Sequence, residues 1–280
     1  MSPNAEISDL SQAGQTARAQ DPDRFLTALL APAARREALF LLIAFNHELV
    51  RALEMPSHHG ASLHGAGPIG TLIRLQWWRE VVEGQVRRHE LAEPLGAMLS
   101  AGRLDRATLL GIIEAREAEA EGIATLEQWR QLQLDGPGSM QVAFGQALGE
   151  RDPAMLSRLR SIGAAYGAGA ILRHYRSILR AGRCPLPDDL LVSAGSSREA
   201  VLGADPAGID PAVLAPLYAA GLQWLREAGR PRLGHARVAA SLAAVLARRD
   251  LGQFPGQGAT LPRGLGDRLA VTAAWLRGSA

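Results

Sequence analysis

Apolar residues recur every three or four positions through most of this 280-residue chain. That spacing lays one face of an α-helix against a core. Structure is expected to begin at DPDRF, where Asp21 suits a helix cap and Pro22 its first turn. A second helix is predicted over about residues 32–54, with Leu39, Leu42, Ile43, Ala44 and Val50 on a broad buried face. The segment PSHHGASLHGAG then breaks the pattern and reads as a loop. Further helices are predicted over about 69–86, 105–121, from 125 onward, 152–181, 211–228, 235–249 and 267–276. Gly136-Pro137-Gly138 should kink or break the one beginning at 125. Gly182 and the prolines at 185 and 187 should end the long one. No alternating strand pattern or hairpin signal competes, so the chain reads as all-α. Residues 1–20, rich in Ser, Gln and Ala, read as a disordered tail ahead of a single domain over 21–280.

Composition adds a few bounds. Apolar residues make up 47% and charged residues 21%, ordinary for a globular protein. The net charge of +2 and the lack of a dense basic run give no sign of a nucleic-acid partner. All 30 basic side chains counted with lysine are arginine, a side chain that keeps its charge when half buried and offers a rigid fork of donors to phosphate or carboxylate. The lone Cys184 rules out an internal disulfide and fits a cytoplasmic setting. The longest apolar run, Ala38 to Phe45, is far too short to span a bilayer, which leaves peripheral contact.

Chemistry is suggested by ILRHYRSILRAGRCPLP, residues 171–187. Its close resembles the GRxYLP signature that follows the ILRDxxxD helix of squalene and phytoene synthases. In that family two aspartates one turn apart hold magnesium against a prenyl diphosphate. Here His174 and Ile178 stand at those two positions. The segment LIAFNHELVRALE is similar to the family's YAFCRxxDDxxD, which puts Val50, Arg51 and Glu54 where three aspartates would be. IIEAREAEAEG resembles IEGMxxDL, with Glu119 for the aspartate, and LDGPG at 134–138 resembles AGTVG. No register shift restores the second site, because no carboxylate lies between Asp152 and Asp188. A narrower likeness, carried by DPDRFLTALLAPAARREALFLLIAFNHELVRALE and IRLQWW, is to the phytoene-synthase-like branch that includes complex I assembly factors and also lacks the aspartate motifs.

The resemblance implies the isoprenoid-synthase helical bundle around a central cavity. It also implies a protein without the parent reaction, with no catalytic residue, metal ligand or cofactor. Such a protein would hold an isoprenoid or lipid, or meet a complex I subunit or assembly intermediate, at the inner membrane. Arg51, Arg173, His174 and Arg176 are the candidates for an anionic or lipid group. Two alternatives stay open. One is an active prenyltransferase with magnesium on a remodelled site using Glu54, Glu119 and His174; the other is a helical interaction module without a pocket. The arginines at 158, 160, 173, 176, 180 and 183 read equally as a solvated stripe. His58, His59 and His64 lack a ligand spacing, and Trp77 and Trp78 read first as core. The pairs Glu80/Glu83 and Glu117/Glu121 are explained by nearby arginines, and His47 and His174 as satisfied core residues facing an old cavity.

Overall fold

A 28-residue helix, α9 (Pro153–Arg180), is the axis of the molecule. Asp152 caps it, accepting from the amides of Ala154 and Met155, and Pro153 occupies its first turn. Its middle carries small residues, Gly163 to Gly169 with one tyrosine among them, all buried. Neighbouring backbones therefore approach it closely. The computed structural model describes residues 10–53, 68–203, 209–253 and 263–280.

The other helices are α1 (Gln12–Gln20), α2 (Pro22–Leu29), α3 (Ala33–Ala52), α4 (Pro68–Glu83), α5 (Ala92–Ser100), α6 (Arg106–Glu121), α7 (Leu126–Gln133), α8 (Ser139–Ala147), α10 (Asp188–Ser193), α11 (Arg198–Gly203), α12 (Pro211–Ala228), α13 (Ala243–Leu251) and α14 (Leu265–Leu276). No strand occurs among the described residues, as the sequence predicts. Helices α12 and α13 pack on one side of α9, and α8 with its preceding turn packs on another. Helix α3 is buried at eight consecutive positions, Ala38 to Phe45, so it is wrapped rather than half-buried. Helices α1, α2, α4 and α8 surround it. No described helix is long and apolar enough to cross a membrane.

Two expectations need correction, and a third takes an unexpected form. Residues 12–20, expected in a disordered tail, form α1 and bury Ala13, Gly14 and Ala17 against α3. Polar composition hid a small-residue stripe: a Cβ on Gly14 would lie 3.3 Å from Phe40. The Gly-Pro-Gly element interrupts the helix, as expected. Residues Leu134–Gly138 form a π-turn that carries the path from α7 into α8. Proline lacks an amide hydrogen and its ring crowds the carbonyl four residues back, and the wider turn accommodates both. The helix expected over 235–249 is instead a 3₁₀ turn (Val238–Ala240) followed by α13.

The π-turn rests directly on α9, where a methyl group at Gly163 would overlap the Pro137 carbonyl and the Gly138 backbone. Gly163→Ala is expected to cost about 1–3 kcal/mol in urea unfolding, because backbone cannot move aside as a side chain can. Gly96→Ala on α5, where nothing lies within 4 Å, is expected to gain about 0.5–1 kcal/mol from helix propensity.

Candidate functional site

Helices α3 and α9 face each other across an open centre. Ile43, Asn46, His47 and Val50 form one stripe of α3, and Tyr166, Ala170, Arg173, His174, Ser177 and Ile178 form one stripe of α9. Both follow the three-to-four residue spacing of a single helix face. With α2 they enclose about 980 Å³, the upper end of the roughly 300–1,000 Å³ usual for small-molecule sites. A smaller inner chamber of about 170 Å³ adjoins it and is closed by α6, α7, the π-turn and the segment after α9. Arg24, Asn46, Val50, Tyr166, Ala170 and Ile178 line both compartments, so they form the passage between them.

Three of the positions that the family resemblance gives to aspartate face this centre, carrying Val50, His174 and Ile178. Arg51 is not among the lining residues; its side chain is 66% exposed and lies 3.6 Å from Glu48. Arg176 lies over the Tyr175 ring and donates to its hydroxyl at 3.2 Å, away from the cavity. Arg173 lines the outer compartment, paired with Asp250 at 3.1 Å. Burial lowers the pKa of His174, and the neighbouring Arg173 lowers it further, so its imidazole is held neutral. Glu54, His58, His59 and His64 lie outside the described residues.

The charges that do converge are others. Arg24, Arg116 and Arg183 line the inner chamber with Glu119. Arg116 donates to Glu119 Oε2 at 2.7 Å and Arg183 to Oε1 at 2.5 Å. Arg116 also reaches Asn46 Oδ1 at 3.3 Å. Arg24 pairs with Asp21 at 2.9 Å and lies over the Tyr166 ring at 4.6 Å. Burial, followed by Asp21 and Asp23, pushes the Tyr166 phenol up, so it stays protonated. Sequence reading missed this cluster, though one signal was present. On α6 the buried positions Leu109, Ile112, Ile113 and Ala115 lead directly to Arg116 and Glu119. Charges that continue a buried stripe point inward.

Elsewhere the bland readings describe the geometry. Trp78 is buried, Trp77 partly so, and both pack edge-on against each other and His89. Glu80 accepts from Arg87 and Glu117 from Arg79, each at 2.6 Å.

Magnesium takes oxygen ligands in near-octahedral order and bridges carboxylates to phosphate. The carboxylates lining the two compartments are Asp21, Asp23 and Glu119. Each already meets an arginine: Asp21 meets Arg24, Asp23 meets Arg263 at 2.7 Å, and Glu119 meets both Arg116 and Arg183. Among the described residues these donors do not fit a magnesium cluster, because binding one would strand the arginines.

Burial alone would raise the Glu119 carboxyl, but Arg183 and Arg116 overcome it and hold the group at about 2. A folded pKa below the unfolded value means stability that is present above pH ~4.5 and lost as pH falls toward 2. Glu119→Gln is therefore expected to cost about 3–5 kcal/mol near neutrality. Denaturation at stepped pH should show the gap from the native chain closing below pH ~4.5; a gap independent of pH would contradict the pairing.

The chain superposes on a dehydrosqualene synthase crystallised with ligand at a TM-score of 0.73, with 13% identity over 98% of this chain and 97% of that one. Squalene synthase HpnC from Alicyclobacillus acidocaldarius gives 0.60, with 14% identity over 99% and 97%. At such identities the likeness speaks for the helical fold alone. None of the curated protein sequences matches the chain. A sequence model of squalene/phytoene synthases matches residues 17–275, and the chain belongs to that family.

Proposed function

We propose that this chain is a non-catalytic member of the family. It holds an isoprenoid or other lipid in the bundle centre, sits peripherally on the inner membrane, and assists assembly of respiratory complex I. The observation that carries the reading is the cavity wall. Val50, His174 and Ile178 face the open centre where the resemblance implies aspartates, while the carboxylates that remain there are taken by arginines. Ionising an allylic diphosphate needs its leaving group neutralised, and in the parent reaction magnesium held by carboxylates serves that end. The apolar lining, with Phe25, Leu26, Leu29 and Ile43, suits a hydrocarbon tail. Membrane contact is supported by α14, where Leu265, Leu269 and Leu276 are exposed along one stripe beside Arg268, which borders the cavity. The complex I role rests on the sequence resemblance.

The open centre speaks against a module without a pocket. It also keeps a second reading alive, prenyl condensation on a remodelled site, since the same space suits prenyl diphosphates. Purified protein incubated with farnesyl or geranylgeranyl diphosphate and magnesium is expected to give no condensed hydrocarbon. Steady product formation that Glu119→Gln or Glu54→Gln abolishes would move the assignment to an enzyme. Deleting the gene is expected to lower assembled NADH:ubiquinone oxidoreductase on native gels and to leave carotenoids and hopanoids unchanged. The reverse phenotype would overturn the reading.

A further inference from the structure

The inner chamber holds more positive charge and more hydrogen-bond donors than its own residues satisfy. Among the described residues, Glu119 is the one carboxylate lining it, against Arg24, Arg116 and Arg183. Counting Asp21 behind Arg24 still leaves three guanidinium groups facing two carboxylates. Each guanidinium carries five N–H donors, yet among the described residues the three side chains make hydrogen bonds only to Asp21, Glu119 and Asn46. The Nε atoms of all three are buried and have no partner among the described residues. Arg24 is 7% exposed. Arg183 and Arg24 both lie close enough to repel Arg116: burial, then Arg183 and Arg24, lowers its pKa against the pull of Glu119. A buried surplus of this kind is a site for an anion.

We infer that the inner chamber is a phosphate-type head-group site that needs no divalent cation. In it Arg24, Arg116 and Arg183 take the oxygens of a phosphate or diphosphate monoester, and any attached tail passes Val50 and Ile178 into the outer compartment. A single carboxylate ligand would cancel one charge and fill one fork. A diphosphate brings several oxygens, which match the donors left over, and its negative charge more than offsets the surplus. A magnesium ion would enter against three arginines and find Glu119 already shared by two of them. The tail placement rests on the lipid-binding reading above; the anion site stands without it.

Calorimetric titration of the full chain tests this. Inorganic diphosphate is expected to bind in EDTA, with no gain in affinity when magnesium replaces EDTA. Arg24→Gln and Arg183→Gln, checked for folding by circular dichroism, should each weaken binding about tenfold or more. Binding that appears only with magnesium, or unchanged affinity in both variants, would overturn the proposal. Farnesyl diphosphate binding more than about tenfold tighter than inorganic diphosphate would identify a lipid head group. Equal affinity of the two would support a free-anion site and sink the lipid reading alone. Farnesol binding as tightly as farnesyl diphosphate would sink the head-group site. Should the arginine variants not fold, Glu119→Gln supplies an independent readout. It enlarges the positive surplus, so diphosphate is expected to raise its melting temperature more than that of the native chain. An equal or smaller rise would count against the site.

Discussion

An arginine cannot shed its charge at any pH a folded protein survives, so every guanidinium taken out of water here has to meet an anion. That constraint organises the interior. Arg263, its side chain 9% exposed, grips Asp23 at the start of α2 and both oxygens of Asp250 on α13, at 2.6–3.0 Å. Asp250 in turn takes Arg173 from α9. Deeper in, Glu119 joins α6 to the turn beyond α9 through Arg116 and Arg183. The first and last parts of the chain are thereby tied around one cavity. Such links add little net stability, since desolvation offsets most of their attraction, but losing one partner strands a charge. Their effect is positional: they fix which helices face one another. The stability comes from apolar burial, as along Ala38 to Phe45.

Much of the fold was readable because caps and periodicity agreed. Asp21, Asp105, Asp152 and Asp210 each cap a helix, and Asp152 with the glycine after α9 bounds the longest one almost to the residue. What was not legible has a common cause. α1 and the π-turn both owe their conformation to close contact with another element, and composition carries no record of that. The short helices α5, α10 and α11 were overlooked for a related reason: at six to nine residues they hold too few turns for a period to show.

The site was half legible. The family resemblance located Val50, His174 and Ile178, and all three do face the cavity. Rank by local charge misled for Arg51 and Arg176, because a helix turns a hundred degrees per residue and a basic run supplies both faces at once. Arg51 sits one position from the cavity stripe and ends in water. The arginines that matter to the inner chamber come from α2, α6 and the turn after α9. Their separation in sequence conceals a convergence that only the packing creates.

Losing aspartates from the wall while keeping these arginines reverses the sign of the cavity. An aspartate cage is negative until metal loads it; the inner chamber here is positive as it stands. Either arrangement attracts an anion, but they differ in capacity. Condensing two prenyl diphosphates means holding two leaving groups, and the buried surplus of the inner chamber, three arginines against two carboxylates, falls short of neutralising two. In the outer compartment Arg263 and Arg173 are already drawn to Asp23 and Asp250, while Arg18 and Arg268 stand in solvent at the edge, where screening weakens their hold. On the proposed reading, a chamber furnished for one head group, with an apolar space behind it, retains a lipid rather than joining two.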